Sequence, residues 1–110
     1  MDGAYYMDGG ATNIVPFNII RDECDVLIAI DVSMVRKQSS RPTAKNAEEA
    51  TWAATQQALI SAKLMSCPVE IFERPNFGRV STLDFDKFKS VYKRANELMP
   101  AFKEKLKMIL

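Results

Sequence analysis

The pattern of apolar and polar positions lays out an alternation of strands and helices along this chain. After the turn dipeptide Asp2-Gly3, the aromatic stretch 4–7 suits a short strand that would place Asp8 at its end. Pro16 can open a helical turn over 17–21, and the polar break 22–25 leads into Val26, Leu27, Ile28, Ala29 and Ile30. A run apolar at every position predicts a strand covered on both sheet faces, and hence a three-layer α/β architecture. Residues 34–43 have no periodicity and predict a surface loop. Asn46 and Glu49 have the spacing of a capping box, so a helix is expected to start at Asn46. Ala47, Ala50, Ala54, Ala58, Ala62 and Met65 recur every three or four positions, a small-residue stripe that would let this helix lie close against a sheet until Pro68 stops it. Residues 69–73 alternate like a half-buried strand, and 75–78 turn the chain. Asp84 is placed to cap a helix with the stripe Phe85, Phe88, Tyr92 and Ala95. Pro100 would open a last helix bearing Phe102, Leu106 and Ile109.

Composition narrows the class. A chain of 110 residues holds one hydrophobic core, and 47% hydrophobic with 26% charged residues is the balance of a folding globular chain. The net charge of +1 gives no global attraction to nucleic acid or anionic lipid, and no nucleic-acid partner is expected. The charge is unevenly spread: residues 85–110 carry seven Lys or Arg against three acids, leaving eight basic and eleven acidic groups before them. This basic tail reads as a solvated helix face, with a membrane-touching surface as the alternative. Cys24 and Cys67 stand too far apart and too isolated for a zinc site or a disulfide framework, so reduced, buried thiols are expected, and no metal. No apolar run reaches membrane-span length, and the first residues lack a signal pattern. A soluble or peripheral protein follows as the expectation, with the cytoplasm favoured.

The candidate chemistry centres on Asp8-Gly9-Gly10, where two missing side chains would free the backbone and let another group approach the carboxylate. Further on come Asn13, Val15-Pro16 and the apolar strand ending in Asp31-Val32-Ser33. This ordered set resembles the patatin-like phospholipase family. The family has an Asp-Gly-Gly or Asp-Gly-Ala, then an Asn, a Val-Pro or Leu-Pro, a short helix, and an apolar strand ending in Asp-Val-Ser. The likeness continues through the helix 46–66, Arg74-Pro75 and Leu83-Asp84-Phe85-Asp86, so it spans nearly the whole chain.

The resemblance implies hydrolysis of acyl esters in phospholipids or lysophospholipids, with no cofactor. A serine in a Gly-x-Ser-x-Gly elbow attacks the ester, and the Asp of Asp-Gly-Gly is its base. Asp8 is the one catalytic residue that carries over, with Gly9 and Gly10 as motif support. The absence of His agrees with a Ser-Asp dyad. The only glycines are Gly3, Gly9, Gly10 and Gly78, so no Gly-x-Ser-x-Gly can be written. Residues 1–110 are therefore expected to be the carboxy-terminal part of a three-layer patatin-like α/β domain, the nucleophile-bearing part lying outside them. That missing part is an expected partner, and an uncovered sheet edge would favour self-association.

Three other readings stand beside this one. Asp8 can be a turn carboxylate that caps backbone amides. Asp31, at a strand end, can be the acid of a phosphoryl-transfer fold, although Ser33 stands where a second acid is needed. Trp52, Phe77 and the basic tail can form the contact surface of a non-catalytic interaction module.

Overall fold

The computed structural model describes residues 2–33, 44–78, 80 and 84–110, except for the side chains of Lys45 and Asn46. The expected loop 34–43, the capping side chain of Asn46, and Leu83 lie outside the described residues. Helix α1 (Gly9–Thr12) is followed by 3-10 turns at Phe17–Ile19 and Arg21–Glu23, then strand β1 (Ile28–Ile30). Helix α2 (Ala44–Ser66) leads to strand β2 (Ile71–Glu73), and a 3-10 turn at Phe85–Lys87 to helix α3 (Phe88–Ile109).

β1 and β2 pair in parallel, with Ile28 opposite Ile71, Ala29 opposite Phe72 and Ile30 opposite Glu73. Parallel neighbours need a crossover, and α2 lies within the one that joins them, so the centre of the chain is a β-α-β unit. The fold is mixed α/β, with a two-stranded parallel sheet and more helix than strand among the described residues.

The core is small. Phe17, Leu27 and Ala29 form a buried cluster, against which Val15, Cys24, Leu64, Cys67, Val69 and Phe72 pack. Ile14, Ile60 and Ile71 are also buried. The loops that close this core are fixed by charge. Arg21 donates through Nη1 to the Glu70 carboxylate at 2.9 Å and to the Pro68 carbonyl at 3.2 Å, and through Nη2 to the Cys24 carbonyl at 2.9 Å. Glu70 in turn accepts the Leu27 amide at 2.6 Å. One ion pair therefore ties the approach to β1 to the approach to β2. Both thiols are free, and they are half-buried rather than buried as expected.

Six sequence expectations change. The aromatic stretch 4–7 is not a strand. Tyr5, Tyr6 and Met7 are exposed, because no described strand lies alongside to take up their backbone groups. β1 is covered on one face only, since Ala29 is buried while Ile28 and Ile30 are exposed. The alanine stripe of α2 points to solvent at every position, and the packed face carries Ala53, Gln56, Gln57, Ile60, Lys63 and Leu64. Burying Ile60 and Leu64 removes far more apolar area from water than burying alanines, so the helix turns that side inward. α3 runs unbroken through Pro100, which lacks one amide but needs no helix end where its carbonyl partner can turn to water. Its half-buried stripe is Val91, Ala95, Leu98, Phe102, Leu106 and Ile109, whereas Phe85, Phe88 and Tyr92 are exposed. Asp84 stands at the N-cap of the 3-10 turn rather than of α3, and makes no capping bond; its Oδ2 accepts Lys87 Nζ at 2.6 Å.

Candidate functional site

Asp8 is the N-cap of α1. Its Oδ1 accepts the Gly10 amide at 2.7 Å, and its carbonyl accepts the Ala11 amide at 3.0 Å. A carboxylate in this position satisfies an amide that the helix itself cannot, and a negative charge suits the amino-terminal end of even a single turn. Asp8 is nevertheless exposed, and no second partner to its carboxylate exists among the described residues. One oxygen is fixed by the backbone while the other faces solvent.

The two glycines play different parts. A Cβ on Gly10 would lie 3.1 Å from Asp8 Oδ1 and 3.4 Å from Gln56 Nε2, whereas one on Gly9 would meet nothing within 4 Å. Both sit in helical backbone, so the conformational freedom expected of them is not used; the glycines with positive φ are Gly3 and Gly78. Gly10 alone provides close approach, and what approaches is the Gln56 amide on α2.

Lys63, two turns further along α2, fixes the rest of the motif. Its ammonium donates to Asn13 Oδ1, to the Ile14 carbonyl at 2.5 Å and to the Val15 carbonyl at 3.2 Å, and lies 5.2 Å from the Phe17 ring centroid. Burial of the ammonium pushes the Lys63 pKa down, against a smaller upward pull from Cys67. Val15 adopts φ 44°, a region that β-branched residues avoid. The Phe17 amide closes an inverse γ-turn onto its carbonyl at 2.8 Å, with Pro16 at the centre. Asn13 to Pro16 is thus a strained corner pinned from α2, and it sets where α1 and Asp8 sit.

Gln56 and Lys63 were not singled out from the sequence. The signal was present: they interrupt the helix face that carries Ile60 and Leu64, and a polar residue on a packing face needs a partner.

Asp31 occupies a separate place, at the carboxyl end of β1. It is 1% exposed, with Oδ2 accepting Arg74 Nε at 2.6 Å and Oδ1 accepting the Ser33 amide at 2.8 Å. Its backbone amide continues the ladder to the Glu73 carbonyl at 2.8 Å. Oδ2 ties the end of β1 to Arg74 just beyond β2, and Oδ1 closes a local turn onto Ser33, so both oxygens do structural work. Arg74 also lies 5.7 Å from the Phe72 ring centroid. Trp52 is exposed and Phe77 half-buried. Among the described residues no group of three His, Cys, Asp or Glu could hold a metal ion, and no helix is long and apolar enough to cross a membrane. An open recess on α3, lined by Met99, Pro100, Lys103 and Lys107 among others, belongs to a different element from Asp8 and contains none of its chemistry.

Comparison with protein-family models, with curated proteins and with solved structures finds no match.

Proposed function

We propose that this chain is the carboxy-terminal part of a patatin-like serine acyl hydrolase, with Asp8 as the base of a Ser-Asp dyad whose serine belongs to another segment. The observation that carries the reading is the Asp8 carboxylate itself, held by the Gly10 amide through one oxygen and open at the other. A base must be held still and must keep a lone pair free for the hydroxyl proton. Within a water-poor cleft formed with the serine-bearing segment, a carboxylate in this state takes that proton as the serine attacks the acyl carbon. The parallel β-α-β unit is compatible with such a domain. Phospholipid or lysophospholipid esters are the proposed substrates, by resemblance of the motif, and no cofactor is required.

Two expectations test the proposal. Purified alone, the chain turns over neither nitrophenyl esters nor lysophospholipid. Co-expressed with a segment that supplies a Gly-x-Ser-x-Gly elbow, it gains esterase activity that Asp8→Asn lowers by about 100-fold or more. Robust turnover by the chain alone would overturn the dyad.

A second reading has support of its own. Large exposed apolar residues such as Ile28, Ile30, Val32 and Trp52 suit a module that is completed by contact with another chain, catalytic or not. Phosphoryl transfer through Asp31 has less support, because the carboxylate is already committed to Arg74 and Ser33.

A further inference from the structure

The exposed side of α3 combines two features that neither the dyad nor the core uses. Projected down the helix at 3.6 residues per turn, Phe88, Met99 and Tyr92 lie within roughly 40° of one another. They are 64%, 41% and 70% exposed. Lys103, Lys89 and Lys107 follow along one flank of this stripe, within about a further 60°. The acids Glu104 and Glu97 lie beyond them, where they pair with Lys107 at 2.8 Å and Arg94 at 3.0 Å. Lys89 and Lys103 have no acidic partner among the described residues, and Lys89 Nζ lies 6.0 Å from the Phe88 ring centroid. On the other flank the half-buried stripe begins, so the apolar band is continuous from the body of the molecule outward.

We infer that α3 is an interfacial helix that docks on an anionic phospholipid surface, inserting Phe88, Tyr92 and Met99 while Lys89, Lys103 and Lys107 contact the headgroups. Charge complementarity favours this occupant. Residues 85–110 carry seven basic groups against three acids, and three of the seven, Lys89, Lys103 and Lys107, border the apolar stripe. Shape favours it too. None of the α3 residues is fully buried, so the helix lies on the outside, and the recess beside Met99 and Lys103 is open rather than enclosed, which leaves this side accessible to a flat surface along its length. A helix with aromatic residues on one side and lysines beside them lies in the plane of the membrane interface, and needs no span-length apolar run. The inference holds whether or not Asp8 serves a serine, because binding is read without turnover.

Vesicle flotation with the full 110-residue chain tests it, since aggregates do not float. The chain is expected to float with phosphatidylcholine vesicles containing phosphatidylserine, to stay behind with phosphatidylcholine alone, and to be released by salt. Each juxtamembrane lysine is worth about fivefold in partition, so the Lys89→Gln, Lys103→Gln, Lys107→Gln variant should bind roughly 100-fold more weakly. Phe88→Ser with Tyr92→Ser should abolish binding, while Lys105→Gln, on the opposite flank and paired with Glu73, should change it little. Circular dichroism of each variant must match the parent. Equal flotation with neutral vesicles, or a triple variant that binds like Lys105→Gln, would overturn the inference. So would a lipid-free dimer that Tyr92→Ser dissociates, which would assign the stripe to a second copy of the chain.

Discussion

At the scale of single residues, the arrangement around Asp8 separates two glycines that look equivalent in the motif. Gly9→Ala places a methyl group in open space on helical backbone, where the smaller entropy of the unfolded chain should raise stability by about 0.4–1 kcal/mol. Gly10→Ala places its methyl 3.1 Å from Asp8 Oδ1, which the Gly10 amide holds in place, so the cap must shift to admit it. Thermal melts should rank Gly9→Ala above Gly10→Ala, and the reverse order would mean that the Asp8 cap is not formed. Glu70 gives a pH signature at the same scale. The Leu27 amide first, and the Arg21 guanidinium second, hold its carboxyl below the ordinary value of 4.5. The unfolded chain therefore takes up this proton before the folded one does. Its contribution to stability is complete above that ordinary value and is lost as the pH falls through the lower, folded one. Urea unfolding below pH 4.5 should weaken the parent more steeply than Glu70→Gln, which has no proton to gain there. Parallel curves would place the acid sensitivity elsewhere.

At the scale of elements, α2 shows how a regular pattern can mislead. Spacing marked the alanines as a seam, but spacing alone does not say which way a helix turns. The decision follows from buried area, and Ile60, at 1% exposed, carries more of it than any alanine in the stripe. Ile60→Ala should cost about 2–5 kcal/mol, whereas Ala58→Ser on the solvent side should stay within about 0.5 kcal/mol. Chemical denaturation of the two variants distinguishes the faces, and a large loss for Ala58→Ser would restore the alanine seam. β1 was legible as the continuous apolar run 26–30 and β2 as the alternation 69–73, although pairing trimmed them to Ile28–Ile30 and Ile71–Glu73 and the stretch 4–7 formed no strand. The cover of β1 was not legible. An all-apolar run is what two covered faces produce, and the sequence does not tell whether the second cover lies within these residues. Pro100 misled because proline usually marks a helix start, yet a long exposed helix can turn the orphaned carbonyl to water. Of the site, Asp8 and Gly10 were readable from the motif. Gln56 and Lys63 depend on which face of α2 turns inward, and so were hidden by the same ambiguity.

At the scale of the whole molecule, the chain is more open than a closed globule. Its radius of gyration is 16.5 Å, against about 13 Å for a compact chain of this length. Its accessible surface is 9109 Å², against about 6100 Å² for a compact monomer of this mass. The exposed face of β1, the outward alanines of α2 and the ridge of α3 all contribute apolar area to that surface. A molecule of this kind gains stability from further contacts, and the proposed dyad requires one: a segment that covers Asp8 and brings a serine to its free oxygen. Asparagine caps helices about as well as aspartate, so Asp8→Asn keeps the Gly10 contact and removes only the basicity. The most direct test is therefore the esterase activity of the chain joined to a serine-elbow segment, measured for Asp8 and for Asp8→Asn at matched thermal stability. The account predicts activity with Asp8 and a loss of about 100-fold or more with Asn; equal activity in the two would contradict it.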